Sequence, residues 1–494
     1  MAKRLSFHIC RSCGHRESRW LGQCPSCGEW NTLEERDSPV RTGAGAGAGA
    51  GGKGRAVSLS RPLREIDPEE GVRLATGIGE LDRALGGGMM PGSTILIGGE
   101  PGIGKSTLMM QAAGAVAAGA VATGRGATGR GARAETATPA QATVLYVSGE
   151  ESAVQLRQRA DRLGVTAPTL HILCTADLDT IQQELHRLRP RLVILDSVQT
   201  TIAPDAGSVP GTVNQIKYVT HELAEWTREN RTSLVMVAHV TKEGQIAGPR
   251  VVEHMVDAVL LFEHSGSDLR FLRATKNRFG AIEEVGLFAM DQRGLVEITD
   301  PGRVFLGGHK GELPAGVVAA PCYEGSRVLV VEIQALTVPA KGAVSRTFSD
   351  RIDNRRVSRV AAVLEKHLGV RFGDQDIYVN VAGGIRIQDV AIDLPLAIAL
   401  YSARQGKALP SGTLATGELS LAGEVRPVSH RLQRLKASGE MGFRRLVGPP
   451  TGDGEESESS GNRQNGASWA QAATLPEAVA AAYEAFLAAP PKGV

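Results

Sequence analysis

Eight consecutive residues, Gly99-Glu100-Pro101-Gly102-Ile103-Gly104-Lys105-Ser106, fit G-x-x-x-x-G-K-[ST], a pattern whose chemistry is the holding of a nucleoside triphosphate. Its glycines let backbone N–H groups turn inward around phosphate oxygens, and a helix starting there adds partial positive charge. Lys105 is expected to reach the β- and γ-phosphates and the Ser106 hydroxyl to ligate Mg²⁺. Thr107, which opens the helix-forming run after the loop, completes the candidate nucleotide-binding set.

Carboxylates stand where such a site needs them. The apolar run Leu192–Leu195 ends in Asp196, a candidate for the Mg²⁺ shell, with capping of the next turn as the plainer role. The run from Thr143 closes on Glu150-Glu151. Glu150 is the candidate for orienting and deprotonating the attacking water, and Glu151 for an exposed first-turn residue, although spacing alone does not separate them. His239 follows the run from Ser233 and could sense the γ-phosphate or serve as a satisfied structural histidine. Lys242 and Arg250 mark a glycine-containing loop that suits contact with a phosphate backbone or plain solvent exposure. Lys276-Asn277-Arg278-Phe279-Gly280 places two cations after the strand expected over Leu269–Ala274. They could complete a neighbouring subunit's site, or form an ordinary solvated turn.

A second chemistry lies at the other end of the sequence. Cys10-x-x-Cys13 and Cys24-x-x-Cys27 have the spacing of a four-thiolate, closed and therefore structural Zn²⁺ site. Lys3, Arg4, Arg11, Arg16 and Arg19 outnumber Glu17 and Glu29 around it. Cys174 and Cys322 are isolated and read as buried small apolar residues.

These residues need elements to position them. Near-continuous apolar runs at 143–147, 192–195 and 233–237 suit parallel strands covered on both faces. Val213, Ile216, Val219, Leu223 and Trp226 recur at helical steps. Strands alternating with helices after a phosphate loop imply a doubly wound α/β domain over about 60–300. The pattern restarts beyond 300, with strands at 327–333 and 376–381 and helices at 356–368 and 390–403, giving a second α/β domain over about 302–488. A zinc module over 1–33 precedes a flexible linker over 34–59 that contains the Gly/Ala run 43–52. The stretches 119–142 and 451–468 read as surface loops.

The 494 residues carry a formal charge of +2, so any nucleic-acid surface must be local, and aromatic residues at 4% leave little for extensive base stacking. The uncharged run from Ser106 is Ala- and Gly-rich and begins inside the phosphate loop, so a buried helix is expected and no membrane partner. Lys3 and Arg4 lead into no apolar run, no secretory leader is expected, and the chain reads as cytoplasmic.

Taken together, the chain closely resembles the RadA (Sms) family of bacterial DNA repair proteins. The resemblance rests on the cysteine pairs with Gly28-Glu29-Trp30-Asn31-Thr32, on Thr76-Gly77-Ile78-Gly79-Glu80-Leu81-Asp82, and on the phosphate loop. It rests most specifically on Val240-Thr241-Lys242-Glu243-Gly244, Ala247-Gly248-Pro249-Arg250 and the pentapeptide from Lys276. It implies a RecA-like ATPase core, a homo-hexameric ring, ATP-driven movement on single-stranded and branched DNA, branch migration, and work alongside the RecA recombinase. It implies further that Lys276 couples nucleotide to DNA. The last domain resembles the proteolytic domain of Lon protease, which makes an ATP-dependent protease the main rival, and a KaiC-like regulatory ATPase the second. Ala391 stands where the Lon nucleophile should be and Leu432 on or near the position of its base, so the domain is expected to be a non-proteolytic scaffold. Arg351, Arg355, Arg356 and Arg359 give that domain a basic stretch. Ala238, and Asp389-Val390-Ala391-Ile392, depart from the family's usual text.

Overall fold

The computed structural model describes residues 6–11, 16–17, 20–25, 27, 29–37, 72–119, 142–207, 209–239, 251–264, 269–282, 284–299, 305–306, 313–342, 345–384, 386–451, 463–464 and 466–484. Cys13, Lys242 and Arg250 lie outside these, as do the Gly/Ala run 43–52 and most of the two expected surface loops. The chain divides into two compact units, Met1–Asp67 and Pro68–Val494.

The first unit is a small antiparallel sheet of order β2-β1-β3, formed by β1 (Ser6–Cys10), β2 (Arg16–Glu17) and β3 (Leu33–Asp37). Such a sheet has almost no apolar interior. Cys10 and Cys24, both buried, are its core, with Leu21 packed on them.

The second unit begins with α1 (Gly79–Ala84), β4 (Thr94–Gly99), α2 (Lys105–Ala118), β5 (Val144–Ser148), α3 (Ala153–Arg162) and β6 (Leu170–Cys174). It continues with α4 (Leu178–Leu188), β7 (Leu192–Asp196), α5 (Val213–Asn230), β8 (Ser233–His239), α6 (Val251–Met255) and β9 (Ala258–His264). Three further strands follow, β10 (Leu269–Asn277), β11 (Val285–Asp291) and β12 (Gly294–Glu297). They build one sheet of order β12-β11-β10-β9-β4-β8-β7-β5-β6. From β9 to β6 every pairing is parallel, and β10 to β12 extend it antiparallel. Every residue of β4, β5 and β7 is buried, as two-sided helix cover demands. Ile216, Val219, Leu223 and Trp226 of α5 are buried as a stripe, whereas Val213, in the exposed first turn, is not on it. α2 is buried on most sides, and among the described residues no helix is long and apolar enough to cross a membrane.

A second sheet follows, from β13 (Val317–Glu324), β14 (Arg327–Pro339), β15 (Thr347–Ser349), β16 (Gln375–Val381) and β17 (Thr413–Ala415). The short hairpin β18 (Glu418–Leu419) and β19 (Val425–Arg426) stands apart from it. β20 (Arg445–Gly448), β21 (Arg463–Gln464) and β22 (Ala467–Gln471) complete an order of β15-β16-β14-β13-β17-β20-β22-β21. Its helices are α7 (Asn354–Leu368), α8 (Asp393–Gln405), α9 (Arg431–Glu440) and α10 (Leu475–Tyr483).

One apolar core runs across both sheets, with Leu269, Phe271, Val285 and Leu287 of β10 and β11 packed in the same cluster as Val318, Leu329 and Val331 of β13 and β14. The tip of the β13–β14 hairpin adds ion pairs. Glu324 meets Arg273 of β10, and Arg327 Nη2 lies 2.6 Å from the buried Glu80 of α1. Ser326 Oγ donates to Glu284 at 2.6 Å.

Five further expectations change. The stretch 451–468, expected as a surface loop throughout, carries β21 and the start of β22 in its last residues. β10 continues through Lys276 and Asn277, with a bulge between Ala274 and Lys276, so the pentapeptide starts within the strand. The helix expected from 390 starts at Asp393, after a single 3₁₀ turn over Val390–Ile392. The basic stretch is partly internal, because Arg356 and Arg359 reach the fully buried Asp393 at 2.6 and 2.8 Å. A carboxylate that deep needs paired cations. Cys322 is buried as expected, but Cys174, at the open end of the edge strand β6, is exposed.

Candidate nucleotide-binding site

The phosphate loop joins β4, in the middle of the sheet, to α2. Gly102 and Gly104 hold φ of +77° and +113°, values that a side chain would resist. Gly104 is the N-cap of α2, no side chain caps that terminus, and its first turn holds no acid. The orphan N–H groups of the helix start are therefore left for an anion. Glu100 and Pro101 are exposed at the loop's crest, while Ile103 is buried beneath it. Ser106 and Thr107 are half-buried in the first turn of α2. Lys105 is 4% exposed, and its Nζ donates to the carbonyls of Gly99 at 2.7 Å and Glu100 at 2.9 Å. Burial lowers its pKa, partly countered by Asp196 and Glu150.

Neighbouring strand ends bring three more groups to the loop. His239 ends β8 in register with Gly99, and its Nδ1 lies 3.4 Å from Lys105 Nζ. An ammonium only donates, so Nδ1 accepts and the ring proton sits on Nε2. That Nε2 is 3.6 Å from Glu150 Oε1, which accepts from Ser197 Oγ at 2.9 Å. Lys105, His239, Glu150 and Ser197 thus form one line across the strand ends. Asp196, 8% exposed at the end of β7, accepts from Tyr146 Oη at 2.6 Å. Burial, then the Asp196 charge, pushes the Tyr146 phenol well above its usual pKa, so it stays a donor. The two adjacent glutamates part company. Glu151 turns to Arg159 of α3 at 2.6 Å, and Glu150 faces the loop.

The pentapeptide is not in this group. Asn277 pairs with Ala258 of β9, which pairs with Ile95 near the start of β4, whereas the phosphate loop leaves the other end of β4 at Gly99. About 3.3 Å per residue along a strand separates the two ends by well over 10 Å. Lys276 Nζ donates to the carbonyls of Glu253 at 2.6 Å and Val256 at 2.7 Å around the end of α6. Desolvation, then Arg278, lowers its pKa. Arg278 pairs at 3.1 Å with Asp257 and keeps about half its side chain exposed. Asn277 Nδ2 donates to Leu85 O and its Oδ1 accepts from Phe279 N. A Cβ on Gly280 would lie 3.1 Å from Gly86 Cα, so the two glycines let the pentapeptide press onto the turn after α1.

In the first unit the Sγ atoms of Cys10, Cys24 and Cys27 lie within 4.8 Å of one another, and those of Cys10 and Cys27 are 3.6 Å apart. Sulfurs around a tetrahedral Zn²⁺ at about 2.3 Å sit roughly 3.8 Å apart, whereas a disulfide needs about 2.05 Å. The donor set fits a thiophilic metal; the fourth expected ligand, Cys13, is outside the described residues.

The expected protease positions form no dyad. Ala391 is 1% exposed inside the 3₁₀ turn, and its N–H goes to Asp389 Oδ1 at 3.0 Å. Leu432 is 45% exposed in the first turn of α9. Arg434, two residues after Leu432 and fully buried, lies 2.8 Å from Asp389, two residues before Ala391.

Three family models match the chain: an AAA domain over residues 65–245, subunit ChlI of Mg-chelatase over 349–452, and a rubredoxin metal-binding domain over 8–35. DNA repair protein RadA of Treponema pallidum is 47% identical over 89% of this chain and 91% of its own length. That of Brucella abortus is 45% identical over 92% and 94%. Among solved structures, a KaiC-like protein of Pyrococcus horikoshii is 17% identical, covering 46% of this chain and 99% of its own, with a TM-score of 0.36. With such identity along nearly its full length, an AAA core and a metal-binding ribbon, the chain belongs to the RadA family of DNA repair ATPases.

Proposed function

We propose that the protein is a DNA-dependent ATPase of recombination and repair, a hexameric ring that moves on single-stranded DNA and promotes branch migration beside the RecA recombinase. Gly99 to Thr107 hold the triphosphate, with Lys105 released from its loop carbonyls onto the β- and γ-phosphates. Mg²⁺, held by Ser106 and through water by Asp196, would neutralise the charge that develops on the phosphoryl oxygens. Glu150 orients the attacking water and takes its proton. His239, already between Lys105 and Glu150, senses the γ-phosphate and passes its state to the Lys242–Arg250 loop that follows β8 and touches DNA. Cys10, Cys13, Cys24 and Cys27 bind a structural Zn²⁺.

The observation that carries the ring is the placement of Lys276 and Arg278 at the far end of the sheet from their own phosphate loop. Cations that serve nucleotide from there must serve a neighbour's, and a head-to-tail ring provides that seam. The test is ATP turnover with and without single-stranded DNA over a salt series. Turnover should rise with DNA, the stimulation should fall steeply with salt as phosphate contacts are lost, and Lys105→Ala should abolish both. Turnover indifferent to DNA would leave a regulatory ATPase in place of a motor.

A further inference from the structure

Arg270, on β10, takes no part in the reading above. Its Nε donates to the carbonyl of Ile103 at 2.8 Å. In a trans peptide the carbonyl of one residue and the N–H of the next point in opposite directions. Arg270 therefore turns the N–H of Gly104 away from β10. Gly104 is the last glycine of the phosphate loop and the N-cap of α2, at a φ of +113° where its peptide has no side chain to fix it. The same side of the loop is walled by β11 and β12. A Cβ on Gly104 would come within 2.9 Å of Met290 Cε and 3.3 Å of Leu295 Cδ1. Leu295 is itself clamped, its N–H and carbonyl both bonded at 3.0 Å to the Gln111 amide of α2.

We infer that Arg270 is a positioning residue of the phosphate loop, holding the Ile103–Gly104 peptide with its N–H directed at phosphate. A cation on the carbonyl also polarises the amide and makes that N–H a stronger donor. The antiparallel extension β10–β12 is then more than sheet cover. One of its strands, β10, touches the loop through Arg270, touches the second sheet through Arg273 and Glu324, and carries Lys276 next to its last residue.

The inference rests on the phosphate-loop reading, and its test separates the two. Binding of a fluorescent N-methylanthraniloyl ATP with Mg²⁺ is measured for wild type, Arg270→Met and Arg270→Lys, alongside KM, kcat and thermal melting of the nucleotide-free proteins. Met keeps the length of the stem without a donor, and Lys keeps a donor. Arg270→Met should weaken binding and raise KM about tenfold, with Arg270→Lys recovering much of the loss and melting little changed. Unchanged affinity in Arg270→Met overturns the inference. So does a loss that Arg270→Lys shares in full together with a lowered melting temperature, which is the mark of a strut. Failure of the wild type to bind the analogue would instead strike at the phosphate loop itself.

Discussion

Lys105 is the residue whose environment makes the sharpest chemical demand. It is buried, its ammonium is held by two loop carbonyls, and desolvation lowers its pKa from the ordinary lysine value. Only the charged form can hold phosphate. Affinity for Mg-ATP should therefore be full below that lowered pKa and decline as pH rises through it, beginning before the value near 10.4 of a free lysine. The same shift runs the other way for the empty protein. Within that window the unfolded chain binds the extra proton, so folding stability should rise with pH as Lys105 discharges. Titrating ATP affinity from pH 7 upward checks the first statement, and a flat profile up to the free-lysine value would refute it. Lys105 itself was legible in the sequence, because the loop pattern specifies it. The partition of Glu150 from Glu151 was not. It depends on Arg159, a turn and more further along α3, drawing one carboxylate away, and no spacing rule encodes which of two adjacent side chains a helix will capture.

At the level of elements, the strands read best where they are apolar from end to end, as in β4, β5 and β7, since two-sided burial leaves little freedom in composition. β10 reads worst at its end. Lys276 and Asn277 look like loop residues, yet pairing with Val259 and Ala258 across a bulge keeps them in the ladder, and tertiary pairing overrides local propensity there. The same failure of composition misplaced the arginines of α7. Arg356 and Arg359 lie on a helix face that looks solvated, but Asp393 at the start of α8 meets that face in the interior. The pair has a measurable consequence. Asp393→Asn would leave two guanidiniums facing a neutral amide, one of them largely buried, and should cost about 3 kcal/mol of stability. Denaturant unfolding beside wild type measures it, and a loss below about 1 kcal/mol would rank the cluster with surface ion pairs. Thiolate spacing was legible for the opposite reason, because tetrahedral coordination constrains sequence separation directly, and Cys10, Cys24 and Cys27 are gathered accordingly.

The whole molecule turns on what each domain gave up or kept. In the second domain, the positions expected of a nucleophile and base are poorly disposed for that chemistry. Ala391 is sealed in its 3₁₀ turn, Leu432 faces outward, and the buried Arg434–Asp389 pair holds the ground near them. The double variant Ala391→Ser, Leu432→Lys should therefore show no peptidase activity on unfolded casein, and its appearance would return the protease reading to contention. In the first sheet, the pentapeptide and the phosphate loop sit at opposite ends of the strands. If Lys276 acts across a seam, two dead proteins should complement each other. Lys105→Ala carries an intact pentapeptide and Lys276→Ala an intact phosphate loop, so a randomly mixed ring places a working pair at about a quarter of its head-to-tail seams. ATP turnover should appear on mixing the two variants under conditions that allow subunit exchange, and should be absent from either alone. If Lys276 acted within its own subunit, every subunit in the mixture would still lack one of the two lysines, and the mixture would stay as inactive as its components.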